Sequence, residues 1–239
     1  MSVKVAIVAA LEREARFAVR GWNVCRREHD GRQYKFFENG DAVLVCGGIG
    51  AEAARRATEA IISLYHPRLM ISAGFAGALD PALKVGDRFL PRYVVNAADG
   101  SRIDTGTGSG ILVSYGSIAG TEQKEKLRRS YPSQAIDMEA AAVAMGAQAR
   151  GVPFVAYKTI SDEHDFEMPA LERFVDQDGQ FKTARFVLFA AGRPWLWPGL
   201  IKLARNSSRA AAELGRWLSQ YNQRAETLES KPAELHPIK

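Results

Sequence analysis

Along the first 165 residues, short β-branched and apolar runs alternate with stretches of helical period, and glycine or proline marks nearly every change. Val3–Ala9 reads as a strand covered on both faces. Tyr34–Phe37 and Ala42–Cys46 read as a hairpin around Glu38-Asn39-Gly40-Asp41, where Asn-Gly suits a tight turn. Gly47-Gly48-Ile49-Gly50 opens a helix in which Ala54, Ala57, Ala60, Ile61 and Leu64 recur at helical spacing, until His66-Pro67 stops it. Leu69–Ser72 predicts a short strand followed by a glycine loop, Gly74-Phe75-Ala76-Gly77. Phe89–Val95 and Ile111–Ser114 predict strands on either side of a polar loop, Ala97–Gly110. Thr121–Arg129 predicts a charged, exposed helix. Ala135–Asp137 predicts a strand leading into a helix from Met138 to about Arg150, stopped by Gly151-Val152-Pro153. Phe154–Ile160 is the last buried strand. The pattern predicts an α/β fold, a three-layer sandwich with a mixed central sheet. No linker composition interrupts it, so residues 1–224 are expected to form one domain and the polar residues 225–239 a flexible tail.

Composition narrows the class. With 239 residues, 46% of them apolar and 25% charged, the chain can bury a core that needs neither metal nor disulfide. Cys25 and Cys46 make no ligand spacing, and Cys46 ends an apolar run as a core thiol would. The four histidines are scattered, so no metal or other cofactor is expected. A net charge of +5 permits nucleic acid as a partner, but Lys and Arg are dispersed and no basic run carries interleaved aromatics. No nucleic-acid partner is expected. Val5–Leu11 is too short for a signal or a membrane span, and Glu12 follows at once, so the default expectation is cytoplasmic.

Three acids carry the candidate chemistry. Glu14, Glu139 and Asp162 each fall just past the end of a predicted buried strand, at the sheet edge where open α/β folds bind ligands. Singly, Glu14 and Glu139 also read as helix-start acids, where negative charge is mildly stabilising. Gly48, within Gly47-Gly48-Ile49-Gly50, lies where a phosphate can be cradled or a sugar can approach the backbone. The segment is neither a dinucleotide fingerprint, since Glu52 takes the last glycine's place, nor a phosphate-binding loop of the Gly-Lys-Ser/Thr type.

Four separated segments carry a resemblance. They are Val8-Ala9-Ala10-Leu11-Glu12-Arg13-Glu14-Ala15, then Gly47–Gly50, then Ser72–Leu79 running on to Leu83-Lys84-Val85-Gly86-Asp87, and finally Asp137-Met138-Glu139-Ala140 with Ile160-Ser161-Asp162. In order and spacing they resemble the purine nucleoside phosphorylase/uridine phosphorylase superfamily, especially its nucleosidase branch, typified by methylthioadenosine/S-adenosylhomocysteine nucleosidase. The resemblance implies cleavage of a purine nucleoside's N-glycosidic bond in a homo-oligomer. It implies Asp162 as the acid that protonates the leaving purine, with Ser161 orienting it, and Glu14 as the base that activates water. Glu139 would bind the ribose hydroxyls and Met138 would pack on the sugar face. These residue types suit the chemistry. An oxocarbenium-like ribosyl centre needs a leaving base assisted by a carboxylic acid that a dry pocket keeps protonated, and a separate ionised carboxylate to take a proton from water.

The phosphorylases of this superfamily hold phosphate with arginines and a serine near the glycine loops. Here no Arg precedes Gly74–Gly77, Phe75 stands at the serine's place, and Arg13 is displaced from the usual position. Water is therefore the expected nucleophile, with phosphorolysis as the alternative. The base-binding segment reads Val113–Ala119, where the backbone of Ser117, Ile118 and Ala119 is expected to meet adenine, but Ile118 replaces the usual stacking aromatic.

The C-terminal third departs further. Arg193-Pro194-Trp195-Leu196-Trp197-Pro198 precedes a helix with Leu200, Leu203, Ser207, Ala210, Leu214, Trp217, Leu218 and Tyr221 on one face and basic residues among them. Such a segment, 193–221, either lies in a membrane interface or packs on the protein itself. The whole pattern resembles the hopanoid-associated branch of the superfamily, which implies a lipid-linked substrate such as adenosylhopane. Methylthioadenosine/S-adenosylhomocysteine cleavage stays open beside it. So does a non-catalytic nucleotide-binding or membrane scaffold.

Overall fold

All five residues of β1 (Val5–Ala9) are buried, and their side chains alternate between two packed layers. Ala6 and Val8 face a cluster that includes Ala57 and Ile61 of α2 (Ala51–Tyr65) and Val143 and Ala147 of α4 (Ala140–Ala149). Val5, Ile7 and Ala9 face the opposite layer, with Ala15 of α1 (Glu12–Ala15) and Leu214 and Leu218 of the long final helix α6 (Trp197–Glu229). A strand covered on both faces between helical layers makes the three-layer sandwich expected from the sequence. The computed structural model of the protein describes residues 3–167, 171–176 and 178–229.

The sheet is mixed. β1 lies parallel between β4 (Ala42–Cys46) and β5 (Leu69–Ala78), and β2 (Asn23–His29) and β3 (Arg32–Asn39) extend one side as an antiparallel meander. On the other side follow β10 (Ala135–Asp137), β9 (Ile111–Ser114), β7 (Tyr93–Asn96) and β8 (Arg102–Asp104). β11 (Phe154–Asp162) also pairs in parallel with β5, and β6 (Arg88–Phe89) pairs with β11.

Several elements differ from their sequence expectations, each for a local reason. Gly74–Gly77 is not a loop but the second half of β5, because β11 pairs along its whole length and β10 joins from the other side at Gly77. The hairpin turn is Gly40-Asp41 alone, with Asn39 still paired and only Gly40 at positive φ. The expected strand Phe89–Val95 breaks at Pro91, which has no N–H to donate, into β6 and β7. The exposed helix, α3 (Thr121–Ser130), buries Lys124 as well as Leu127. The final helix continues through Glu229 into the segment expected to be a flexible tail, while residues 230–239 and the side chain of Tyr221 lie outside the described residues.

The final helix, which the sequence leaves open to a membrane interface or to packing on the protein itself, divides its apolar face. Ala210, Leu214 and Leu218 are buried on the sheet, Trp217 stacks on Tyr157 at 4.5 Å, and Thr159 Oγ1 donates to the Ala210 carbonyl at 3.1 Å. That half of the segment packs on its own protein. Among the described residues, no helix is long and apolar enough to cross a membrane.

Candidate active site

The floor of the site is a buried polar network between the middle of β5 and β11 and the ends of β9 and β10. Lys158 is 1% exposed in a strand that is almost wholly buried. Its Nζ pairs with Asp137 Oδ2 at 2.9 Å and donates to Ser72 Oγ at 3.0 Å. Asp137 also accepts from Ser114 Oγ at 2.5 Å and, through Oδ2, from the Ala140 N–H at 2.8 Å. Asp137 is thus the acid that satisfies the start of α4. The helix-start explanation offered for Glu139 belongs to its neighbour instead.

Glu139 is thereby free to face the cavity. It sits half-buried at the N-cap of α4 without a capping bond, and its Oε1 accepts from the Gly50 N–H at 2.7 Å. Gly50, at φ +95°, turns that N–H inward from the start of α2. Glu14 reaches the same place from the short α1 and is 7% exposed. Burial, with Glu139 adding like-charge repulsion, pushes Glu14 up to about 7 against the opposing pull of Arg13 and Lys158. Burial and the neighbouring Asp137 likewise push Glu139 up to about 7, opposed by Lys158 and the Gly50 N–H. A carboxylate poised near neutrality is what a general base needs. A Cβ on Gly74 would meet Glu14 Oε2 at 3.0 Å and Lys158 Nζ at 3.8 Å, so the bare backbone of β5 admits both groups.

Asp162 ends β11 and is 4% exposed. Its Oδ1 accepts from Ser161 Oγ at 2.7 Å, the orienting contact expected for Ser161. Its Oδ2 also accepts from Lys124 Nζ at 2.5 Å, a buried cation beside the acid that the sequence does not predict. Lys124 and Lys158 are the residues that sequence reasoning missed. A lysine within a buried strand signals a buried pair, and Lys124 lies one helical turn before Leu127, on the inward face of α3.

One cavity of about 650 Å³ joins these groups. Glu14, Glu139, Asp162, Met138 and Ser161 border it, and so do Phe75 and the segment Ser117-Ile118-Ala119. Gly48 does not. Its positive φ, +109°, lets the Asp178 and Gly179 carbonyls pack on it, 3.0 and 3.1 Å from where a Cβ would stand, and Ile49 takes its place in the wall. Nine of the ten sequence-predicted residues therefore meet around one space, and Gly48 supports a loop behind it.

Away from the acids the cavity becomes apolar. Phe181, Phe186, Val187, Leu200 and Leu203 line it between α5 (Thr183–Ala191) and the start of α6. Phe174, Phe181, Phe186 and Phe189 make one aromatic cluster with ring centroids 5.2–6.3 Å apart. None of α5 is buried, although its sequence is mostly apolar. Within it Leu188 is 77% exposed, and after it Trp195 is 70% exposed, with Trp197 and Ile201 also exposed. Arg13 stacks on Phe181 with its guanidinium 5.3 Å from the ring centre. Burial pushes the Cys46 thiol up, in keeping with a core thiol rather than a nucleophile.

The family model of the phosphorylase superfamily matches residues 4–116 and 106–190 of the chain. A 5′-methylthioadenosine/S-adenosylhomocysteine nucleosidase from Staphylococcus epidermidis is 26% identical over 196 residues, 66% of this chain and 86% of the relative. One from Staphylococcus aureus is 28% identical over 156 residues, 51% of this chain and 68% of the relative. Among solved structures, the futalosine hydrolase of Helicobacter pylori superposes with a TM-score of 0.70 at 18% identity, covering 94% of this chain and 99% of that one. A mutant 5′-methylthioadenosine/S-adenosylhomocysteine nucleosidase of Helicobacter pylori, solved with 5′-methylthioadenosine in its active site, gives the same TM-score and identity over 94% of this chain and 100% of that one. At 18% identity the structural likeness establishes a shared fold.

Proposed function

The chain belongs to the phosphorylase superfamily, and from that premise we propose that it is a purine nucleosidase, which splits the N-glycosidic bond of a 5′-substituted adenosine with water and releases adenine. The observation that carries the reading is the meeting of Glu14, Glu139 and Asp162, from three separate elements, around one cavity. In this reading Glu139 accepts hydrogen bonds from the ribose hydroxyls and Met138 packs on the sugar. Asp162 delivers a proton to the purine as the bond to C1′ breaks. Glu14 takes the proton of the attacking water, and its position near neutrality matches that task.

Water fits better than phosphate. The buried cation nearest Glu14, Lys158, is committed to Asp137 and Ser72, and Arg13 is stacked on Phe181. A phosphate dianion would meet Glu14 and Glu139, a repulsive arrangement, while the cavity's two arginines are turned to other partners, Arg13 to Phe181 and Arg16 to Ser208. Both curated relatives described above are nucleosidases.

The 5′ substituent in this reading is large and apolar, a lipid-linked adenosine of the adenosylhopane kind. Support comes from the aromatic wall between α5 and α6 and from the exposed Leu188, Trp195, Trp197 and Ile201 beside it. Arg185, Arg193 and Lys202 stand among these residues along the chain and suit an anionic membrane, from which such a substrate would be drawn. The test is free adenine, measured by chromatography, across 5′-substituted adenosines running from methylthio to long alkyl and polycyclic groups. The expected result is release with kcat/KM rising as the apolar group grows. A preference for methylthio over every larger group would overturn the lipid reading, and no adenine from any member would overturn the nucleosidase.

A further inference from the structure

The acid of the site is built as a pair. Lys124 Nζ donates to Asp162 Oδ2 at 2.5 Å and to the Glu163 carbonyl at 2.7 Å, which fixes the ammonium to the end of β11. Both side chains are withdrawn from water, Lys124 at 3% and Asp162 at 6% exposure, and both border the cavity. Gly77 makes the contact possible, since a Cβ there would stand 2.8 Å from Asp162 Oδ2 and 3.4 Å from Lys124 Cε. The other charged side chains of α3 behave differently. Lys126 pairs with Glu122, and Arg128 and Arg129 pair with Glu125, all on the solvated side of the helix. Lys124 alone among them turns inward.

A buried lysine–carboxylate pair can hold its proton on either partner. Away from water the cost of keeping two separated charges narrows the gap between ammonium–carboxylate and amine–carboxylic acid. The short contact gives the proton a direct path from Nζ to Oδ2. From this geometry we infer that Lys124 supplies, through Asp162, the proton that the departing base requires. The inference rests on the nucleosidase reading above. In the step, the electron pair of the C1′–N9 bond moves into the purine, N7 takes a proton from Asp162, and Asp162 Oδ2 takes one from Lys124 Nζ. The water oxygen bonds to C1′ and its proton passes to Glu14. Nζ ends one proton short and Glu14 one proton richer, and exchange with solvent restores both. Lys124 touches no reacting atom and acts only through its partner.

A structural or purely electrostatic lysine would need its charge and its donors, and arginine supplies both. A guanidinium, however, does not give up its proton. The experiment therefore compares wild type, Lys124→Arg and Lys124→Met on two substrates. One is the adenosine derivative cleaved best in the panel above. The other is its 6-chloropurine counterpart, whose less basic purine leaves with less help from an acid. Both variants are expected to lose about 100-fold or more in kcat with adenine, the scale of a general-acid contribution, while cleavage of the chloropurine falls by less than about 10-fold and reports that the site is still assembled. Arginine restoring adenine release to near wild type, or equal losses on both bases, would overturn the inference while leaving the nucleosidase in place. A wild-type enzyme that frees neither base would refute the underlying reading itself.

Discussion

Replacing Gly77 with alanine places one methyl group where β5 passes between Ile136 and Asp162. The new Cβ would lie 2.8 Å from Asp162 Oδ2, where an ordinary contact begins at 3.4 Å. The carboxylate oxygen must therefore retreat by about 0.6 Å, and Ile136 Cγ2 at 3.2 Å and Lys124 Cε at 3.4 Å leave the methyl little room to yield instead. A misplacement of about 1 Å in a reacting group can cost roughly 100-fold, so Gly77→Ala is expected to lower kcat by roughly 10- to 100-fold. KM should change little, because the sugar contacts at Glu139 and Met138 lie on another element. Overpacking in the sheet should cost about 1–3 kcal/mol, visible as a fall of several degrees in the melting midpoint. The assay is the rate of adenine release at saturating 5′-substituted adenosine, with melting followed by circular dichroism. Wild-type kcat in a variant whose sheet has demonstrably accepted the methyl would refute the placement of Asp162 Oδ2 at the reacting centre.

Other consequences follow from the same geometry. Glu14→Gln should lower hydrolysis by about 10²- to 10⁴-fold with nucleoside affinity retained, as measured by calorimetry; unchanged turnover would remove Glu14 from water activation. Because Glu14 must be ionised to act and is pushed up to about 7, kcat/KM should rise with pH and level off above that value; a profile flat from pH 5 to 8 would contradict this. Burial raises the folded-state value of Glu14 above its ordinary 4.5, so its contribution to stability is present below 4.5 and is lost as pH rises through about 7. Glu14→Gln should therefore match wild type near pH 4 and exceed it by on the order of 3 kcal/mol near pH 8 in urea unfolding. Lys158→Met leaves Asp137 as an unpaired buried charge and should cost about 3–5 kcal/mol, read by the same unfolding; a loss below about 1 kcal/mol would mean that the pair is not what holds the floor of the site. Paired Leu188→Ser and Trp195→Ser substitutions should reduce kcat/KM for long-chain 5′-alkyl adenosines and spare the methylthio compound; equal effects on both would separate this surface from the substrate's apolar group.

The legible part of this protein lay in what is periodic or punctuated. Val5–Ala9, the helix after Gly50 and the strand ending at Asp162 follow from burial on two faces, helical spacing and glycine turns, and the last of these carries one of the three acids. Long-range pairing was not legible. Gly74–Gly77 carries a loop composition locally, and only β10 and β11, brought in from more than 50 residues away, make it strand. Glu139 and Asp137 could not be told apart from spacing, because both stand where an acid helps a helix start; Lys158 decides between them by pairing with Asp137. The basic amphipathic reading of the last helix was ambiguous for a similar reason. An apolar stripe looks the same whether a sheet or a lipid covers it, and here the sheet covers the stripe from Ala210 onward.

Water or phosphate as nucleophile decides which oxygen ends up on C1′. Adenine release run in ¹⁸O-labelled water, with and without inorganic phosphate, should give one labelled oxygen on the anomeric carbon of the sugar product, at a rate that phosphate does not change. Release that requires phosphate and yields an unlabelled sugar 1-phosphate would contradict it.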